Sequence, residues 1–168
     1  MEEVEETVFL GTMHGDHAII LKVVESHNEL KITAPEGSRV PLLAGALGRV
    51  FLTQIDEAKV KEIVQKKGLK QFTANSVTDP KKFFKEVQET KKRGYSIDTD
   101  EYMLGVTAVA SPIHITFLPP AAIWVVGFSP SFRDKKMEKA IIEIQKAASE
   151  ISRLLKDRII KGLKIIST

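Results

Sequence analysis

The chain of 168 residues contains no cysteine. It therefore has no disulfide, no thiolate nucleophile and no cysteine metal site, which suits a reducing compartment. It also lacks any apolar run near the roughly 20 residues that a membrane-spanning helix needs. Its acidic start, Met1-Glu2-Glu3-Val4-Glu5-Glu6, is unlike a secretion signal. Nor is there a strong excess of one charge: 25 basic residues stand against 22 acidic ones, a formal net charge of +3. A nucleic-acid surface does not follow from that balance. The runs Lys66-Lys67, Lys81-Lys82, Lys91-Lys92-Arg93 and Lys135-Lys136 each have acids nearby and read as solvated helix faces. There is no internal repeat, linker, low-complexity segment or phosphate-binding glycine loop. What remains is 43% hydrophobic, enough for one cytoplasmic domain over residues 1–168 with a core of its own.

The pattern of apolar residues predicts the elements. Thr7 to Gly11 and Ala18 to Val24 are β-branched and apolar, and the Gly15-Asp16 pair between them suits a hairpin turn. Leu30-Lys31-Ile32-Thr33 alternates and is expected as a third strand, stopped by Pro35 and Gly37. The period then becomes helical, with Leu43, Leu47, Val50 and Phe51 on one face and Gly45 at or near the N-cap. Asp56 is a cap for a second helix through Val60, Ile63 and Val64 to Gly68. Asp79-Pro80 opens a third, which Gly94 closes. An acidic turn with Asp98, Asp100 and Glu101 leads into an expected strand from Val106 to Phe117, and Ala121 to Phe128 is its hairpin partner. From Phe132 to Lys161 the spacing of Met137, Ile141, Ile144, Ala148, Ile151 and Leu155 predicts a helix of seven or eight turns. A coiled coil would use such a stripe, but Ala140, Ile142 and Ala147 widen it toward the face of a helix lying on a sheet. Strands, helices, strands and a helix in that order describe an α+β domain with a largely antiparallel sheet.

Each polar candidate has a bland alternative. Asp98 could accept a hydrogen bond from a ligand or cap its own turn. Asp98 and Glu101 could form an acid/base pair, yet three carboxylates in one turn are ordinarily solvated. His14 and His17 flank a turn and could hold a metal, but surface hairpin histidines are common and only Asp16 accompanies them. His114 reads as a sheet residue. Trp124 and Phe128 could stack on an aromatic ligand or belong to the core. Ala44, Gly45 and Gly48 allow something to pack closely, another subunit or a strand of the same domain.

Several motifs in fixed order resemble one family. Gly37-Ser38-Arg39-Val40-Pro41-Leu42-Leu43-Ala44-Gly45-Ala46-Leu47-Gly48-Arg49 is similar to its G-x-x-x-P-L-x-A-[ST]-A-x-G-K helix entry. Arg93-Gly94-Tyr95-Ser96-Ile97-Asp98 with Glu101, followed by Gly105-Val106-Thr107-Ala108-Val109-Ala110-Ser111-Pro112-Ile113, is similar to its R-G-Y-x-x-D signature and the strand after it. On these motifs almost the whole chain resembles the C-terminal effector-binding domain of IclR-type bacterial transcriptional regulators. The resemblance implies a GAF-like fold, with the middle helices on one face of the sheet and a long C-terminal helix. It implies no catalytic residue, no metal and no cofactor, but a small-molecule effector resting on the backbone N–H groups of Ala46 and Leu47. The pocket it implies is lined by Ile32, Val40, Ala46, Leu47, Asp98, Val106, Ala108, Val126 and Phe128.

The departures from the family pattern shape the expected ligand. Gly45 replaces the usual serine or threonine, Arg49 the usual lysine, and Leu43 a frequent histidine. Val126 and Phe128 stand where members that bind small polar acids present serines, so the pocket is expected to take an aromatic or aliphatic carboxylic acid. The resemblance also implies a homodimer or homotetramer, no membrane partner, and contact with DNA only through a helix-turn-helix domain. Nothing ahead of Thr7 matches one, so the chain is read as a regulator cut at Met1 or as a free-standing sensor. Alternatives of other classes are a GAF-like interaction module without a ligand, and a small enzyme using Asp98 and Glu101.

Overall fold

The computed structural model describes residues 4–115 and 118–166. Strands β1 (Thr7–His14) and β2 (His17–Val24) form the opening hairpin. Its turn is closed by the His14 and His17 pair, with Gly15 at φ 60°. β3 (Arg39–Pro41) is followed by helices α1 (Gly45–Leu52), α2 (Glu57–Lys67) and α3 (Pro80–Arg93). Then come β4 (Ser96–Thr99), β5 (Val106–Ile113), β6 (Ala121–Phe128) and the 33-residue α4 (Asp134–Ile166). The six strands lie in one sheet in the order β3-β2-β1-β6-β5-β4, and every neighbouring pair is antiparallel.

The strand period divides the apolar residues between the two faces of this sheet. Phe9, Ile20, Ala110 and Trp124 point to one side, where they meet Val50, Phe51 and Leu52 of α1, Val60 and Val64 of α2, and Phe83 and Val87 of α3. Val8, Val109, Ile113, Ile123 and Val125 point to the other, under Phe132 and Ala140, Ile144 and Ala148 of α4. The long amphipathic helix therefore covers the sheet as expected. Past Ser152, whose Oγ accepts the His114 N–H at 3.0 Å, Leu154 and Ile160 are exposed. Burying one phenylalanine such as Phe51 stabilises the fold by about 1.5–3 kcal/mol.

Local chemistry sets the helix ends. The Asp79 carboxylate accepts the Lys82 N–H at 2.7 Å ahead of Pro80, and Gly94 leaves α3 in the left-handed conformation at φ 77°. Gly68 ends α2, and Asp56 sits at its N-cap position without a side-chain bond.

Three expectations need correction. Leu30 to Thr33 is not a strand: the free edge of β2 is taken by Arg39, Val40 and Pro41 opposite Ile19, Ala18 and His17. The 31–33 segment is held instead by Lys31 and Thr33 on the Glu25 carboxylate. The acidic segment after Gly94 is partly strand, because Ser96 to Thr99 pairs with Thr107 to Ala110 and supplies the sheet's last edge. The strand expected to run to Phe117 ends at Ile113; Thr116 and Phe117 lie outside the described residues.

Gly48 packs α1 directly against backbone. A Cβ there would stand 2.0 Å from the Leu42 carbonyl oxygen, a backbone atom that cannot swing aside. Gly48→Ala should therefore lower stability by about 3 kcal/mol, the upper part of the usual overpacking range, read as a lower urea midpoint at unchanged slope.

Candidate functional site

The start of α1, the segment from Ile32 to Ala34, and the turn between β4 and β5 close over one face of the sheet. Between them lies a cavity of about 270 Å³. Ile32, Val40, Ala46, Leu47, Asp98, Val106, Ala108 and Val126 all line it, so the structure brings eight of the nine sequence-derived residues together. Phe128 is not among the lining residues. It sits at the end of β6, where its carbonyl accepts the Ser131 and Phe132 N–H groups that turn the chain into α4.

Sequence reasoning missed a second set of lining residues: Phe9, Ile20, Arg39, Tyr102 and Met103. Phe9 and Ile20 carried the needed signal in the period of their strands. The register places Phe9 opposite Trp124, and their rings stack with centroids 5.4 Å apart. Trp124 is thus both core and cavity wall. Tyr102 and Met103 lie in a turn without a period, and only the folded chain brings them to the opening.

That turn is firmly anchored. Asp100 adopts φ 61°, a conformation aspartate tolerates, and its Oδ1 accepts the Gly105 N–H at 2.7 Å and the Ser129 hydroxyl at 2.8 Å. The Thr73 hydroxyl donates to the Asp100 carbonyl, the Ser76 hydroxyl donates to the Glu101 carbonyl at 2.7 Å, and Phe72 packs edge-on against Tyr102.

Asp98 lies within the cavity wall, only 5% exposed. Its Oδ1 accepts the Glu101 N–H at 2.7 Å. Burial, and to a lesser degree the negative charge of Glu101, push its carboxyl up to about 6, against the pull of the Glu101 amide bond and of Arg49. Its other oxygen is aimed at the start of α1. Gly45 has φ 52°, and a Cβ on it would stand 1.8 Å from Asp98 Oδ2. Glycine at this one position is what lets the carboxylate lie against the helix entry. The N-cap residue Ala44 gives no side-chain bond, and among the described residues no acceptor meets the N–H groups of Ala46 and Leu47. A helix start of this kind attracts negative charge.

Of the carboxylates of the turn, Asp98 is buried and Asp100 and Glu101 are half-buried and bonded within the chain, contrary to the expectation of a solvated turn. Arg49, 1% exposed, runs beneath them from α1. Its Nη1 contacts Glu101 at 2.7 Å and Glu86 of α3 at 2.9 Å. Its Nη2 reaches Glu101 at 2.8 Å and the Ile97 carbonyl, and Nε donates to the Ser96 hydroxyl at 2.9 Å. Burial by itself opposes the guanidinium charge, but the bonded Glu101, with Glu86 and Asp98, outweighs it and holds the group above its ordinary value. With Glu101 clamped by Arg49, it has no freedom to act with Asp98 as an acid/base pair. His17 pairs with Asp16 at 2.6 Å, and among the described residues no three potential ligands gather to hold a metal.

A family model described as bacterial transcriptional regulator IclR, C-terminal, matches residues 1–153. The chain belongs to the IclR family. This IclR chain is 33% identical over 155 residues to the acetate operon repressor of Salmonella typhimurium, covering 90% of its own length and 57% of the repressor. It thus spans little more than half of that curated relative. The crystal structure of the Thermotoga maritima IclR superposes with a TM-score of 0.85 at 29% identity, covering 92% of this chain and 63% of that one. The inducer-binding domain of the PobR transcription factor from Acinetobacter, solved with 3-hydroxybenzoic acid, has the same fold, with a TM-score of 0.80 at 21% identity over 91% of each chain.

Two stability measurements probe this site. Arg49→Met leaves the half-buried Glu101 and Glu86 without their cation and should cost about 3 kcal/mol by chemical denaturation at pH 7. Asp98 titrates higher in the folded chain than in the unfolded one, so its contribution is fully present at low pH and lost as pH rises through about 6. Asp98→Asn removes that loss. The stability difference between variant and native chain should grow by about 2–3 kcal/mol from pH 4 to pH 7 and then level off.

Proposed function

We propose that residues 1–168 act as one sensing domain of an IclR-type transcription regulator, working in the cytoplasm without catalysis. In this reading a small effector, an aromatic or aliphatic carboxylic acid, occupies the cavity over the sheet. One observation carries it: the apolar cavity ends at a helix start whose N–H groups at Ala46 and Leu47 have no acceptor within the described chain. Apolar walls with a few convergent polar groups are the usual composition of a small-molecule site. The complex of the PobR domain with 3-hydroxybenzoic acid supports an acid of this size.

The regulated activity belongs to a DNA-binding domain of the helix-turn-helix type, which lies outside this chain. Effector binding shifts the arrangement of such domains within a homodimer or homotetramer, because a ligand favours whichever arrangement it binds more tightly. Among the described residues no helix is long and apolar enough to cross a membrane.

A thermal-shift screen of aromatic and aliphatic carboxylic acids tests the reading. At 100 times its Kd a bound acid stabilises the fold by about 2.7 kcal/mol, a shift of several degrees. Ala108→Phe, which fills the cavity, and Ala46→Pro, which removes a helix-start N–H, should each weaken binding at least about tenfold. Asp16→Ala, remote from the cavity, should leave it unchanged. A screen in which no acid raises the melting point removes the reading's main support.

A further inference from the structure

The head-group end of the cavity carries one carboxylate, Asp98. Behind the cavity wall, the five N–H groups of Arg49 are committed to Ser96, Ile97, Glu101 and Glu86. Glu101 and Glu86, which take those donors, lie outside the lining, so Asp98 faces the cavity with no donor left for it on the guanidinium. The sheet side, at Val106, Ala108, Trp124 and Val126, adds no ionisable group, and neither do Ile32 to Ala34. Tyr102 contributes a phenol from the turn, and Arg39 stands exposed at the cavity rim on β3.

An effector carboxylate resting on the Ala46 and Leu47 N–H groups would arrive beside Asp98 Oδ2, which fills the space that any side chain at position 45 would need. Two carboxylates in contact cannot both ionise cheaply in a water-poor site. We propose that Gly45 and Asp98 together select the form of the effector: the site accepts a head group that donates a hydrogen bond to Asp98, so a carboxylic acid enters only with one proton. The inference rests on the effector-sensing reading and adds to it the selectivity of one end of the cavity. The proton comes from solvent and is held between the two carboxyl groups, leaving a single negative charge at the helix start. Burial already lifts Asp98 to about 6, so the free site is ionised at neutral pH and takes up this proton when an acid binds. A hydroxyl-bearing ligand needs no such uptake, because the ionised Asp98 is its acceptor.

Isothermal titration of the native chain with benzoate and with benzyl alcohol, from pH 6 to 8.5 and in buffers of different ionisation heat, tests the proposal. Benzoate affinity should fall about tenfold per pH unit above about 6.5, with close to one proton taken up per ligand. Benzyl alcohol affinity should stay flat to within about twofold over the same range. Asp98→Asn, which keeps the shape and the bond to the Glu101 N–H, should flatten the benzoate profile; the native slopes decide the matter if that variant folds poorly. Benzoate binding that ignores pH and takes up no proton, as with a carboxylate turned outward to Arg39, would overturn the proposal and leave the sensing reading standing. Binding of neither probe at any pH would overturn both.

Discussion

The buried guanidinium of Arg49 is the interaction on which the rest of the site depends. A charge that is 1% exposed must be matched, and the match here draws on α3 through Glu86, on β4 through Ser96 and Ile97, and on the turn through Glu101. Leaving any of these partners unpaired in the interior would cost more than most single packing contacts supply. The network therefore holds α1 against the far edge of the sheet. Because the turn from Asp100 to Gly105 hangs from Glu101, it also fixes the wall that carries Tyr102 and Met103.

Asp98 is placed by the same arrangement but not neutralised by it. Its oxygen meets the helix entry only because residue 45 has no side chain, and its remaining surroundings are the apolar sheet face and the partners of Arg49. Helix start and carboxylate attract each other, while burial and the neighbouring acids oppose the charge. The outcome is a carboxyl group raised to about 6 and directed into a cavity built almost wholly of hydrocarbon. This is an environment suited to recognition, since the Asp98 carboxyl and the helix-start N–H groups confront whatever enters and Glu101 is too firmly held to share in chemistry.

Much of the architecture is legible without coordinates, for reasons that are local. Asp79-Pro80 and Gly94 delimit α3 because a cap, a fixed φ and a left-handed exit act within a few residues. The alternation in β1 and β6 fixes which residues meet α1 and which meet α4, whichever strands are neighbours. Where the local signal is ambiguous, the reading fails. Leu30 to Thr33 alternates like a strand, yet β2 has a single free edge and β3 occupies it. Ser96 to Thr99 reads as a polar turn, and becomes a strand because the edge of β5 needs a partner.

The candidate cavity divides in the same way. Motif order alone indicated Ile32, Val40, Ala46, Leu47, Asp98, Val106, Ala108 and Val126, whereas Phe128 stands outside the cavity lining because β6 ends there and the chain turns toward α4. By itself the sequence determined the opening hairpin, the four helices, the pairing of β5 with β6 and the family, since periodicity and capping are properties of neighbours along the chain. Tertiary structure alone decided that Arg49 is buried under three carboxylates, that Gly45 makes room for Asp98, and that Tyr102 and Met103 wall the cavity. Those facts arise between residues some fifty positions apart, as Arg49 and Glu101 are, where no local pattern records the distance that sets a charge, a clash or a pKa.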